Sequence, residues 1–329
     1  SDNGFGETKF NTINAAKPHL RSGGTLYVAD GLYEEQLLLH QPLTLKGEGT
    51  QTLLRNVASE PYNNKPAILI AAKDTTISGI HFQEGNTGIL IGDFDYCLTQ
   101  LNSNNSYYSS FNFSYFDSNA DNATIKENYF SNASHSGISL QTSYATNQLE
   151  SLTIQNNTFS SDETLTSIAL HGGYYDLMVS DPVITGNTIV GGYQSGFYLN
   201  FVGQADIRHN DFTFSGSFPY PYEAKSGMNL RTRDGHAVVS DNTIIYSESV
   251  NHAETMDDCV AIHLDYIDSI AGPITYDAFR NTFTNADYGI FVYAYELNVD
   301  DAMTTVTIGG RNADANDFSD CTIGVISQL

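Results

Sequence analysis

A chain of 329 residues with 38 acidic and 14 basic side chains carries a formal net charge of −24. That balance excludes the basic footprint that nucleic acid requires. No apolar run reaches the ~18 residues of a membrane-crossing helix, so no membrane span is expected. A surface this acidic would stay soluble in salty surroundings, where charges are screened, and fits a secreted or cell-surface protein. No signal peptide is read at Ser1, and the sequence could be that of a mature chain. Tryptophan is absent and tyrosine abundant, at 21 residues, so any aromatic sugar platform must be built from Tyr and Phe. The three cysteines, Cys97, Cys259 and Cys321, show no metal spacing and read as small buried hydrophobes.

In chain order, residues 7–21 read as an amphipathic helix with Phe10, Ile13 and Leu20 on one side. Strands follow at Thr25–Ala29, Gln36–Leu39 and Leu43–Lys46. From there a short unit recurs: apolar, two variable residues, Asn, one variable residue, apolar. It runs Ile125 to Phe130 around Asn128, Ile154 to Phe159 around Asn157, and Ile184 to Ile189 around Asn187. Further copies centre on Asn210, Asn242 and Asn281, and a looser one ends at Asn316. Two degenerate copies, Ile77 to Phe82 and Leu98 onward, lack the asparagine.

About a dozen residues after each asparagine comes a second unit: small, apolar, variable, apolar. Gly137–Leu140, Gly196–Leu199, Gly227–Leu230 and Gly289–Val292 show it. Both units alternate with period two, the mark of half-buried strands. Neither can bury a face alone, but coils stacked on one another form a continuous core. The expected fold is all-β: a right-handed parallel β-helix solenoid, one domain over 1–329. Residues 7–21 would form an N-terminal capping helix and 25–329 the coils. Stacked inside a turn, the asparagine amides would bond to the coils above and below, a structural role. The last strand-like residues show no cap, so contact with another domain or chain at the C-terminal edge is expected.

These units resemble the pectin-lyase-like superfamily, specifically its asparagine-bearing β-helix repeats. The opening is similar too, in Phe10–Ile13, Gly23–Val28, Gly31–Glu34 and Leu43–Gly49. The resemblance covers essentially the whole chain and implies an architecture shared by lyases, glycosidases, esterases, epimerases and non-catalytic modules. A pectin-methylesterase-like Gly-Thr-Val-Asp-Phe block and polygalacturonase-like aspartate pairings are missing. Lys225 and Arg231 resemble the Lys/Arg pair of alginate-lyase β-helices. However, six residues would place them in one coil, where the family pattern separates them by about one coil.

The repeat nominates a surface. In the second unit, the positions two and four after the small residue should point outward. The later position gives one column: Gly92, Gln141, His171, Asn200, Arg231, His263, Tyr293 and Gln328. Neighbouring outward positions add Tyr198, Asn229, Arg233, Asp265 and Tyr295. Insertions near 213–226 and 245–258 should leave at one corner and wall the strip, with Tyr220 and Tyr222 placed to stack on sugars.

The partner implied is an anionic polysaccharide. In β-elimination, Arg231, helped by Arg233, would hold a uronate carboxylate. His263 or His171 would remove the C5 proton, and Tyr293 or Tyr198 would protonate the leaving oxygen. Tyr198, Asn200, Asn229, Asp265, Tyr295, Tyr220 and Tyr222 would bind substrate. A glycoside hydrolase would need two carboxylates instead, for which Asp265 with Asp234, Asp257 or Asp258 are candidates. A non-catalytic carbohydrate-binding module of a larger surface protein is the reading from a different class. Arg231 could equally pair with Asp265 only to offset the acidic surface, and the Tyr293/Tyr295 pair could be sheet packing. No cofactor is called for. The acidity would suit Ca2+, but no ligand set stands out.

Overall fold

The structure is a computed structural model that describes residues 10–55, 66–83, 87–92, 120–133, 135–141, 149–171, 179–215, 225–232, 235–247, 259–266, 274–294, 304–309 and 314–328. It is a right-handed parallel β-helix. One face is a ten-stranded sheet whose strands all pair in parallel, from Gly24–Val28 through Leu43–Gly47 and Thr76–Ser78 to Thr304–Ile308. The remaining strands form an 18-stranded sheet that curls around the rest of each coil. In two coils it runs without a break, as Thr158–His171 and Thr188–Val202.

Between the two sheets lies the asparagine corner. The residue before each of six asparagines takes the left-handed conformation: Glu127, Asn156, His209, Asp241 and Arg280 have φ between 54° and 57°, and Gly186 has 66°. This reverses the chain and turns the asparagine inward, where Asn128, Asn157, Asn187, Asn210, Asn242 and Asn281 are all buried. From Asn157 onward, each Oδ1 accepts from the backbone N–H and the side-chain amide of the asparagine one coil earlier, as when Asn242 accepts from Asn210 at 3.0 Å twice. Each Nδ2 donates to a carbonyl of the preceding coil, as Asn210 does to Ile184 at 2.9 Å. The ladder runs from the Ile80 N–H, which donates to Asn128, to Asn316. A polar residue repeats in the core because every rung satisfies the next.

The core beside the ladder is an aromatic and aliphatic stack. Phe82, Phe130 and Phe159 lie ring over ring at 4.7 Å, one rung apart. The small residue of the second unit exists to admit these rings. A Cβ on Gly88 would come 2.8 Å from the Phe130 ring of the next coil, and one on Gly137 2.6 Å from that of Phe159. Gly196 stands in the same relation to Phe212, at 2.5 Å.

Two expectations are corrected. The N-terminal helix is only Ile13–Ala16, followed by a 3-10 turn over Lys17–His19. Thr12 caps it by accepting from the Ala15 N–H, Pro18 ends the α-helical bonding, and Glu35 accepts from the Ile13 and Asn14 N–H groups. Ile13 enters the core as expected, whereas Phe10 is exposed and stacks on His19. Residues 7–9 lie outside the described residues. Thr76–Ser78 pairs directly with Thr124–Lys126, and the copy read from Leu98 onward lies outside the described residues. At the other end, Val325 continues the inward column above Ile290 and is 43% exposed.

Candidate functional site

The outward face of the second-unit strands carries two adjacent columns. The first runs through Ser139, Ala169, Tyr198, Asn229, His263, Phe291 and Ile326. Towards the N-terminus it continues through Leu90 and Leu69. Those early positions are apolar and buried although they lie outside the core cluster. From Tyr198 onward the side chains are half-buried and reach solvent. The second column pairs Gln141 with His171, then Asn200 with Arg231, Arg231 with Asp265, Asp265 with Tyr293, and Tyr293 with Gln328.

This register corrects the expected placement of His263. It does not share a column with Arg231 and Tyr293. It stands beside Asn229 and Phe291, and Asp265 takes the place between Arg231 and Tyr293. The small residue of that coil is Ala261 rather than Cys259, so Ile262 and Leu264 face inward beside Met228 and Leu230. A slip of two residues keeps every side chain on its face and moves it one place along the strand. His263 therefore lies diagonally across from Arg231, at ~8 Å from two residues of strand rise and one strand spacing.

The structure thus brings together Tyr198, Asn200, Asn229, Arg231, His263 and Tyr293 on one face. His171 is placed there by its backbone, beside Gln141. So is Asp265; its backbone neighbours Arg231, the geometry the charge-offsetting alternative requires. Arg233, Tyr295, Tyr220, Tyr222, Asp234, Asp257 and Asp258 lie outside the described residues. Cys259 is buried and Cys321 half-buried, its thiol pushed up to about 11 by burial, while Cys97 lies outside the described residues.

Phe291 was missed, although it occupies the position two after Gly289 that the repeat marks as outward. It is the centre of an aromatic cluster. Its ring lies 5.0 Å from His263 edge-on, 6.2 Å from Tyr293 nearly parallel, and 6.0 Å from Tyr288. His263 also meets Tyr293 at 6.5 Å. Around Arg231 the face is polar, and the Asn200 Oδ1 is buried without a hydrogen-bond partner. Lys225 precedes Arg231 in the same coil, and burial holds its ammonium below the usual lysine range.

Both insertions leave and re-enter at matching positions. Phe214 pairs with Tyr246 before them, and Ser226 pairs with Val260 after them. The strands that flank them stand on the rungs of Arg231 and His263, and residues 216–224 and 248–258 lie outside the described residues. Among the described residues no group of three or more His, Cys, Asp or Glu side chains is placed to hold a metal ion. Among them, too, no helix is long and apolar enough to cross a membrane.

A stacked parallel solenoid with an internal asparagine ladder and an exposed, partly aromatic strip defines the class as a β-helix protein. Residues 66–248 match the family described as right handed beta helix region, and the chain belongs to that family. No curated protein matches the chain. Among solved structures, it is similar to a pectin methylesterase in complex with a hexasaccharide, at 13% identity and a TM-score of 0.34, over 92% of this chain and 91% of that one. It is also similar to the pectin methylesterase PemA from Erwinia chrysanthemi, at 12% identity and a TM-score of 0.35, over 96% and 90%. A pectin methylesterase from Yersinia enterocolitica is 11% identical, with a TM-score of 0.24, over 93% and 94%. Likenesses of this degree carry no argument about chemistry.

Proposed function

We propose that this chain is a secreted or cell-surface carbohydrate-active enzyme, a single β-helix domain that cleaves an acidic, uronate-containing polysaccharide by β-elimination on its outer face. The observation that carries this reading is that Arg231, His263 and Tyr293 share one outward face on neighbouring rungs, with His263 and Tyr293 6.5 Å apart, beside the strands that flank both insertions. Arg231 pairs with the uronate carboxylate, withdrawing charge and making the C5 proton more acidic. His263 removes that proton. The electron pair forms the C4–C5 double bond, the C4–O bond breaks, and Tyr293 protonates the departing oxygen. Asn200, Asn229 and Tyr198 offer hydrogen bonds to sugar hydroxyls along the polymer, with His171 continuing the strip.

The aromatic cluster of Tyr288, Phe291 and Tyr293 favours a second reading, a non-catalytic carbohydrate-binding module in which sugar rings stack on these faces. The deciding experiment follows ultraviolet absorbance of the conjugated double bond while the protein is incubated with a panel of uronate polysaccharides, with and without Ca2+. A rise that disappears in Arg231→Ala and His263→Ala supports the lyase. Binding without a rise and without new reducing ends overturns it in favour of the module.

A further inference from the structure

A different face of the solenoid holds a second chemical constellation, three to five coils nearer the N-terminus and on the strands that directly follow the asparagine corner. His81 and Ser131 belong to adjacent rungs, 50 residues apart in sequence. Phe82 and Phe130 point into the core, so His81, Gln83, Tyr129 and Ser131 point outward. The His81 Nε2 lies 2.8 Å from the Ser131 Oγ, and its Nδ1 lies 3.1 Å from the Thr50 carbonyl oxygen.

These two contacts settle the direction of both hydrogen bonds. A carbonyl oxygen has no proton to give, so Nδ1 carries the hydrogen and donates it to Thr50. In the neutral ring Nε2 is then an acceptor, and the Ser131 hydroxyl donates to it. Partial burial lowers the His81 pKa and favours this neutral form. The ring is held edge-on by Tyr129 at 4.6 Å. A hydroxyl donating to an imidazole whose far nitrogen is anchored is the arrangement that activates a serine nucleophile. All of these side chains are half-buried and reach solvent.

We propose that Ser131 and His81 form a nucleophile–base pair for acyl transfer from carboxylic esters, with the Thr50 carbonyl orienting the base. Ser131 Oγ attacks the ester carbonyl carbon and its proton passes to His81 Nε2. The tetrahedral adduct collapses, the bond to the alcohol oxygen breaks, and Nε2 returns the proton to that oxygen. Water then attacks the acyl-serine with His81 again taking the proton, which releases the acid and restores Ser131. Gln83 and Ser160 flank Ser131 one rung below and above in its own column. At ~4.8 Å on either side they can donate to the developing oxyanion. The site shares no residue with the Arg231 strip, so either proposal can fail without the other.

The test treats the full chain with a fluorophosphonate probe and, separately, with p-nitrophenyl acetate. Intact mass and peptide mapping should show one phosphonyl group on Ser131, absent in Ser131→Ala. In His81→Gln, which keeps a polar side chain but supplies no base, labelling and acetate release should fall by about 100-fold or more. In Ser131→Cys, iodoacetamide should alkylate the new thiol faster than in the Ser131→Cys/His81→Gln double variant. Circular dichroism and urea midpoints check that each variant is folded. Labelling of Ser131 no faster than of other exposed serines, or rates unchanged by His81→Gln in folded protein, overturns the proposal.

Discussion

Replacing Asn210 with alanine tests the asparagine ladder at a fully buried rung. The side chain donates to the Ile184 carbonyl at 2.9 Å and to Asn242 Oδ1 at 3.0 Å. Its oxygen accepts from the Asn187 N–H and Nδ2 at 3.0 Å each. Alanine leaves the buried Asn187 N–H and the Ile184 carbonyl without these partners, and one Asn187 amide hydrogen loses its acceptor. At about 1–3 kcal/mol for each buried group left unsatisfied, with partial relaxation, the loss should be about 3–5 kcal/mol. At ~2 °C per kcal/mol for a chain of this size, the midpoint of thermal unfolding should fall by roughly 6–10 °C. Asn316 makes the same kinds of bond but is half-buried at the last described rung, where water can replace them. Asn316→Ala should therefore cost only about 1 kcal/mol. Urea unfolding followed by far-ultraviolet circular dichroism measures both. Equal losses in the two variants would refute the idea that mutual satisfaction in the dry interior is what keeps the ladder.

Three further outcomes are expected. Gly196→Ala should destabilise by about 1–3 kcal/mol, because its Cβ would meet the Phe212 ring and the Gly227 carbonyl at 2.5 Å each. Co-substitution Phe212→Leu should recover part of that loss in urea melts, and no recovery would count against ring contact as the cause. His209, exposed at φ 56°, should gain up to ~1 kcal/mol on substitution by glycine and lose a similar amount on substitution by valine. Identical midpoints for the two variants would show that the corner does not demand the left-handed conformation. The Asp241 carboxyl is held below the usual aspartate range, chiefly by its paired hydrogen bonds from Arg280 at 2.6 and 2.7 Å. A depressed folded pKa contributes stability above the unfolded value and loses it as pH falls through the folded one. The stability gap between wild type and Asp241→Asn should thus be widest near neutrality and close in acid. A gap that stays constant across that range would contradict this pairing.

The solenoid was legible in the chain because its two signals are local. Period-two alternation around Asn128, Asn157, Asn187, Asn210, Asn242 and Asn281 names the inward face of each strand. The recurrence of a small residue a dozen positions later names the place where a neighbouring ring must fit. Stacking is the only way such short strands bury a face, so fold, core and ladder follow without tertiary information.

Adjacency between coils is another matter. Alternation says which face a side chain occupies but not how many residues each turn consumes. His263 therefore fell one place out of register when Cys259 and Ala261 both offered a small residue. Phe291 joins His263, and Ser131 meets His81, only because turns of unequal length bring separate rungs to the same height. The chain's own periodicity determined what is inside and what is outside. Which outward side chains touch was decided by tertiary structure, since it depends on turn lengths that carry no period.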